Sequence, residues 1–209
     1  MLGIHDLPLF IASGLLLNLV PGPDTLLVVS RSATHGFRTG SAASLGIGAG
    51  ILVHVLAAAL GLSALMTASA TAFDVIKWLG AIYLVYMGVQ MWRAGPAHAH
   101  LGEQSDASMN ARLAFRQGLI TNVLNPKVAL FFLAFVPQFI EPSTSSPWAF
   151  VLLGLVFNLN SMVWCHVLAY VASRARQRLR PAPWVGQRLQ QGAGLLLLAF
   201  GLRLALARP

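Results

Sequence analysis

Two short proline-containing segments interrupt apolar sequence and carry opposite charges. The first, Pro21-Gly22-Pro23-Asp24, ends an apolar run, and the second, Asn125-Pro126-Lys127, lies within another. A carboxylate and an ammonium group in such surroundings mark a polar site, because charged groups at membrane depth are costly and are functional by default. These two groups can bind ions of opposite charge, hold or release a proton, or pair with each other.

Proline also changes the backbone chemistry of both segments. Because proline has no amide hydrogen and clashes with the carbonyl four residues earlier, Pro21 frees the carbonyl of Leu17, and Pro126 frees that of Asn122. A broken helix in hydrocarbon is tolerated only where it is buried in protein or lines a wet cavity. Both breaks therefore predict a cavity, and Gly22 adds backbone freedom suited to a hinge or a binding loop.

The expected cavity has two kinds of polar group. The half-helices that begin after the breaks point N–H groups at it, and Lys127 adds a full positive charge, which together favour a carboxylate. Asp24 and the freed carbonyls favour an ammonium group or a proton. This polarity fits a zwitterionic amino acid. Asn18 and Asn122, one turn before each break, can donate and accept hydrogen bonds beside it.

Structural roles for these side chains remain open as alternatives. Asp24 can instead cap a half-helix near the cytoplasmic interface. Lys127 can snorkel, or it can form a salt bridge that only holds the two breaks together. His54 and His166 are weaker candidates, because a histidine bonded to a neighbouring helix explains them as well as a proton relay or a substrate contact does.

Six apolar stretches predict six transmembrane helices. They cover residues 7–30, 41–66, 74–92, 114–140, 148–172 and 190–206. The chain has 56% hydrophobic and 10% charged residues, whereas soluble domains have about 25% charged residues. Residues 39–73 contain no Asp, Glu, Lys or Arg. This run is longer than a membrane span, which takes about 20 residues. The predicted fold is an all-α membrane protein with its first and fourth helices broken at proline. Gly46, Gly48 and Gly50 predict close helix packing in the second span.

The basic residues predict the orientation of the chain. Ten of the fourteen Lys and Arg residues fall in or beside the first, third and fifth loops between spans: Arg31, Arg38, Arg93, Arg112, Arg116, Arg174, Arg176, Arg178, Arg180 and Arg188. These loops are expected to be cytoplasmic and both termini periplasmic. The arginines form no basic face with interleaved aromatic residues, so no nucleic acid is expected. The first segment lacks the features of a cleaved signal peptide and is expected to remain as the first helix.

The two halves of the chain resemble each other. A polar linker at 93–112 separates the three spans of residues 1–92 from the three of residues 113–209. Three matches occur in the same order: residues 14–20 with 118–124, His54-Val55-Leu56-Ala57 with His166-Val167-Leu168-Ala169, and Gly80-Ala81 with Gly192-Ala193. Because each half has an odd number of spans, such a repeat must be inverted in the membrane. We expect one transmembrane domain of two inverted three-helix repeats, whose breaks approach each other.

Several motifs spread over the chain carry a family resemblance. They are Pro-Gly-Pro-Asp at 21–24, Gly-Phe-Arg-Thr-Gly at 36–40, Gly-Ala-Ile-Tyr-Leu at 80–84, Gly118, Asn122, Asn125-Pro126-Lys127, Phe131-Phe132 and Pro137-Gln138-Phe139. With these motifs the chain resembles the LysE/RhtB family of bacterial amino-acid exporters over essentially its whole length. The resemblance implies six helices in the bacterial inner membrane and proton-coupled export of amino acids or related metabolites. It makes Asp24, Asn125, Pro126 and Lys127 the best functional candidates.

We therefore expect a secondary transporter, not an enzyme, that works by alternating access with Asp24 coupling protonation to transport. The expected partners are an amino-acid-like small molecule, a proton or other coupling ion and the lipid bilayer. No cofactor or metal is expected, and a homo-oligomer remains open.

Two other functions are weaker alternatives. Metal-ion efflux is opposed by a thin ligand set of one central carboxylate, one cysteine and two histidines beside Lys127. A membrane-embedded redox protein or enzyme is disfavoured because Cys165 is the single cysteine, and no nucleophile motif or evident haem-ligand pair occurs. Direct use of ATP is not supported either, since the sequence has no phosphate-binding loop of the GxxxxGK[ST] type.

Overall fold

The computed structural model describes residues 2–19, 21–62, 110–141 and 146–175, with single residues between 75 and 93 and between 191 and 202. Its helices are α1 (Leu7–Leu19), α2 (Pro23–His35), α3 (Phe37–Ala57), α4 (Ala111–Val123), α5 (Pro126–Leu130) and α6 (Pro147–Ala175). A π-helical turn at Ala58–Leu62 continues α3, and α5 continues through a π-helical turn, Phe131–Phe135, and a 3-10 turn, Val136–Phe139. Apart from an isolated bridge between Ile4 and Ile140, the regular structure in these ranges is helical, as expected for an all-α membrane protein.

Two of these helices are long and apolar enough to cross a membrane alone. They are Phe37–Leu62, with 26 residues, and Pro147–Arg174, with 28 residues. Two bent pairs qualify only as pairs: α1 with α2 at 56°, and α4 with the stretch Pro126–Phe139 at 48°. Each pair is either a broken span or a re-entrant loop. The described residues thus contain two to four candidate spans.

Two predicted spans fall mostly outside the described residues. These are the third, at 74–92, and the sixth, at 190–206, and most of the linker 93–112 falls outside as well. The matched Gly80-Ala81 and Gly192-Ala193 pairs are also outside. The six-helix architecture and the inverted repeat therefore stay predictions.

A sharp turn at Gly36 joins α2 to α3. Gly36 has a φ of 86°, a conformation that costs a residue with a Cβ atom far more than it costs glycine. Its N–H donates to the carbonyl of Ser32 at 3.0 Å, which ends α2. A Cβ atom added to Gly40 would overlap the Ser32 hydroxyl. Small residues therefore let the two helices fold back on each other.

Glycines also bring α3 and α4 into close contact. A Cβ atom added to Gly46 would overlap the carbonyl oxygen of Phe115, and one added to Gly118 would overlap that of Ala43. Such close approach of backbones is typical of membrane helices with small residues at their interface. The packing role predicted for the glycines of the second span is confirmed.

Aromatic side chains fill the space between α1, the α5 region and α6. The rings of Phe131 and Phe157 stack with centroids 4.4 Å apart, and Phe10 meets Phe139 edge-on at 5.2 Å. All four side chains are buried. They pack the chain after the second proline segment against α1 and α6.

The segment before α1 lies beside the end of the α5 region. The N–H of His5 donates to the carbonyl of Phe139 at 3.1 Å, and the N–H of Glu141 donates to that of Gly3 at 2.9 Å. The start of the first bent pair and the end of the second are therefore side by side.

Replacing Gly46 by alanine tests the contact between α3 and α4. Because the obstacle is backbone, we expect Gly46→Ala to lower the free energy of unfolding by about 1–3 kcal/mol, as overpacking does elsewhere. Thermal unfolding of the detergent-solubilised protein measures this loss. Gly61→Ala is the control, since its Cβ would have no atom of the described residues within 4 Å. Equal unfolding temperatures for the two variants would contradict the contact.

Candidate functional site

Asp24, in the first turn of α2, reaches across to the second proline segment. Its Oδ2 accepts hydrogen bonds from Asn122 Nδ2 at 2.8 Å and from Asn125 Nδ2 at 3.0 Å. Both asparagines are buried. Among the described residues Oδ2 accepts from these two asparagines and Oδ1 has no hydrogen-bond partner, so the carboxylate does not cap its own helix there. Asp24 therefore links the two segments.

Lys127, in the first turn of α5, reaches in the opposite direction. Its ammonium Nζ donates to the carbonyl of Leu17 at 2.7 Å. This is the carbonyl that loses its helical partner because of Pro21. Asp24 and Lys127 each directly follow the proline that begins a half-helix, and each contacts the other segment. The contacts of the two segments are thus reciprocal.

The carbonyl freed by Pro126 is satisfied as well. His54 Nε2 donates to the carbonyl of Asn122 at 3.0 Å, and the backbone N–H of Asn125 donates to the same oxygen at 2.9 Å. The imidazole lies parallel to the ring of Phe132, with an interplanar angle of 12° and centroids 6.1 Å apart. His54 thereby ties α3 to the end of α4.

His166 lies away from this cluster. Its Nδ1 donates to the carbonyl of Met162 at 2.8 Å, and the hydroxyl of Ser41 lies 3.0 Å from its Nε2. The Nδ1 bond stays within α6, and the Nε2 contact with Ser41 attaches α6 to α3. The structure does not bring this histidine into contact with the proline segments.

The two half-helices begin differently. The side-chain oxygen of Asn125 accepts from the backbone N–H of Lys127 at 3.0 Å, which caps α5. The start of α2, by contrast, has Gly22 at the cap position and no side-chain cap. An acceptor from elsewhere can therefore approach the start of α2, whereas α5 is closed by its own asparagine.

A cavity of about 20 Å³ lies between the two segments. This volume has room for about one water molecule. Among the predicted site residues, Asn18, Gly22, Asp24, Asn122, Asn125 and Lys127 line it. Pro21, Pro23 and Pro126 are in the adjoining backbone, outside the lining. The structure thus brings most of the predicted polar groups to one place.

The rest of the lining consists of residues that sequence reasoning did not select for the site, most of them from α3 and α6. They are Leu17, Thr25, Ile51, Val128, Phe157, Ser161, Trp164 and Cys165. A signal for the α6 residues is present in the sequence, since Asn158, Ser161 and Trp164 recur every three residues in apolar surroundings and so share one helix face. Nothing distinguishes Ile51 or Phe157 from the many other apolar residues.

Four buried polar atoms at the cavity have no hydrogen-bond partner among the described residues. Two are donors, Asn18 Nδ2 and Trp164 Nε1, and two are acceptors, Asp24 Oδ1 and Asn122 Oδ1. Buried polar atoms are normally paired. Their presence around one cavity indicates a site for a small polar molecule. In the part of the chain that the structure describes, no group of three or more His, Cys, Asp or Glu residues could hold a metal ion.

Comparison with known proteins identifies the family of this chain. Residues 15–208 match the model of the LysE type translocator. The chain belongs to the LysE type translocator family. The resemblance read from the sequence motifs is thereby confirmed.

Relatives of this LysE type translocator are similar over nearly their full length. An uncharacterised membrane protein of Pseudomonas aeruginosa is 33% identical, with 99% of this chain and 97% of that protein aligned. The homoserine/homoserine lactone efflux protein of Salmonella typhi is 31% identical, with 95% of each chain aligned. A leucine efflux protein of an Enterobacter species is 29% identical, with 97% of this chain and 96% of that protein aligned. No solved structure matches the chain.

A pair of asparagine substitutions isolates the contact between Asn125 and Asp24. Asn125→Ala removes the cap of α5 and a donor to the carboxylate. Asn110→Ala removes only the cap of α4, where Asn110 Oδ1 accepts from the Leu113 N–H at 2.8 Å. A cap is worth about 1 kcal/mol, and a hydrogen bond to a charged group adds about 1.5–3 kcal/mol. Chemical denaturation should show that extra loss for Asn125→Ala, and equal losses would mean that the Asp24 contact adds nothing.

Proposed function

We propose that this translocator is a secondary-active exporter of amino acids or related small metabolites in the bacterial inner membrane. The observation that carries the proposal is the pair of opposite charges, Asp24 and Lys127, at one cavity where two proline segments contact each other. Membership of the LysE type translocator family supports transport rather than enzymatic chemistry. Relatives named for homoserine and leucine efflux support a neutral amino acid as the substrate.

The cavity has two oppositely charged ends, which we call its poles, with Asp24 at one and Lys127 at the other. These poles assign an orientation to a bound zwitterion. Its ammonium group binds at Asp24, whose Oδ1 is still available as an acceptor, with Asn122 Oδ1 beside it. Its carboxylate lies toward the positive charge of Lys127 and the uncapped start of α2. Asn125 holds Asp24 in place. In this proposal the prolines and Gly22 create the break, and His54 supports it from α3.

The proposed architecture has six spans in two inverted three-helix repeats, with the first and fourth spans broken at proline. Asp24 and Lys127 each contact the other proline segment, and this proximity of the two breaks supports the pairing of the first and fourth spans. The pairing of Gly3 with Glu141 supports a common membrane side for the start of the first span and the end of the fourth. With the basic loops cytoplasmic, both termini are periplasmic.

Transport requires the cavity to open. A volume of about 20 Å³ is far too small for an amino acid, so the described state is closed around its site. We infer alternating access, in which the two repeats rock about the paired breaks and expose the cavity to one side at a time. Gly22, between two prolines, supplies a hinge at the first break. Asp24 couples the movement to a proton that it takes up and releases.

Removing the carboxylate at the site tests this function. We expect Asp24→Asn to reduce efflux of L-leucine and L-homoserine from loaded proteoliposomes at least about tenfold, because an amide offers no charge to the substrate ammonium group. Asp6→Asn is the matched control, since that carboxylate is exposed near the N-terminus. Wild-type efflux by a folded Asp24→Asn protein would exclude the site. Failure of the wild type to export any of the common amino acids would exclude the function.

An imposed pH gradient tests the coupling. With L-leucine initially equal inside and outside proteoliposomes, proton antiport should concentrate the amino acid in the acidic compartment. A protonophore should abolish that gradient. Asp24→Glu keeps a carboxylate, so the pH gradient should still make this variant concentrate L-leucine in the acidic compartment. If L-leucine stays evenly distributed while the wild type exchanges it rapidly, transport is not coupled to protons.

A further inference from the structure

The two poles of the cavity differ in what they leave unpaired. At the Asp24 pole, two amide donors already occupy Oδ2, so an acceptor remains at Oδ1. At the other pole, Lys127 donates to the carbonyl of Leu17, and the adjacent Asn18 has an amide donor without an acceptor among the described residues. An ammonium group cannot accept a hydrogen bond from an amide. This second pole therefore needs an acceptor from outside.

Trp164 of α6 adds a second donor to the same cavity. Its indole N–H is buried and has no partner in the described part of the chain. An indole nitrogen can only donate, and a buried tryptophan normally places its N–H on an acceptor. Two unpaired donors at a cavity that also contains an ammonium group indicate an anionic ligand group.

The rest of the lining is apolar or uncharged. An apolar wall of the cavity consists of Leu17, Ile51, Val128 and Phe157. Among the described residues that line the cavity, only Asp24 has a carboxylate and only Lys127 has an ammonium group. One positive and one negative ligand group can therefore be neutralised. A third charge, on the side chain of the ligand, would be buried without a partner, which is costly.

We infer that Trp164 and Asn18 bind the carboxylate of the exported amino acid beside Lys127, and that the apolar wall accepts an uncharged side chain. This inference rests on the proposed function, and the apolar wall gives a structural reason for the neutral substrate that the relatives' names support. It assigns Trp164 a direct contact with substrate, which neither the sequence motifs nor the names of the relatives indicate.

Counterflow in proteoliposomes with L-leucine and L-leucinamide tests the carboxylate contact. Trp164→Phe keeps an aromatic ring but removes the N–H, so the KM for L-leucine should rise about tenfold or more. L-leucinamide offers only a neutral carbonyl oxygen in place of the carboxylate, so its KM should rise clearly less in this variant than the KM for L-leucine. Trp148→Phe is the matched control, because Trp148 lies on the same helix but is 69% exposed. Its kinetics should be those of the wild type.

Each possible outcome decides between the proposals. An unchanged KM for L-leucine in Trp164→Phe would overturn the inference and leave the four unpaired atoms to water. If that variant does not fold, Asn18→Leu must show the same rise in KM for L-leucine and a clearly smaller rise for L-leucinamide. L-lysine or L-glutamate transported as well as L-leucine would overturn the neutral substrate class while leaving amino-acid export intact. A wild type that transports no amino acid would overturn the proposed function itself.

Discussion

Backbone carbonyls without helical partners are the constraint on which the site depends. Pro21 and Pro126 each remove one N–H from a helix, and an unpaired carbonyl is costly in an apolar interior. The structure satisfies both oxygens with charged or polar side chains from other elements. Lys127 donates to the carbonyl of Leu17, and His54 donates to that of Asn122. The same hydrogen bonds that stabilise the breaks therefore bring an ammonium group and an imidazole to them.

Close helix packing makes this arrangement possible. Gly46 and Gly118 let the backbones of α3 and α4 approach, and a Cβ atom on Gly50 would lie only 2.7 Å from the side-chain oxygen of Asn122. The absence of a side chain at Gly50 thus leaves space for the amide that donates to Asp24. Packing and site geometry are coupled, because a larger residue in α3 would displace a polar group of the cavity as well as a helix.

The polarity of the cavity connects the structure to the proposed transport. Among the described residues, acceptors at the Asp24 pole and donors elsewhere in the cavity have no hydrogen-bond partner, and a bound zwitterion would pair with both. The described cavity is too small for an amino acid. In the transport cycle that we propose, the hydrogen bonds of Asp24 and Lys127 therefore rearrange when substrate enters, and the bonds that position the site also stabilise the closed state. A zwitterion that binds the open state more tightly than the closed one can compensate for the hydrogen bonds that break on opening.

Sequence alone determined the all-helical membrane class, the family, and the polar residues at the two proline segments, because hydrophobic run length and proline chemistry act locally. It also pointed to the carbonyls of Leu17 and Asn122 as needing partners. Only the tertiary structure decided which side chains provide them, since Lys127 and His54 come from distant parts of the chain. It likewise separated His54 from His166, two residues with the same local sequence but different neighbours. The spacing of Asn158, Ser161 and Trp164 marks one face of α6, but only the packing of α6 against α1, α2 and α3 shows that Trp164 lies at the cavity. Which face of an apolar helix meets a cavity depends on its partners.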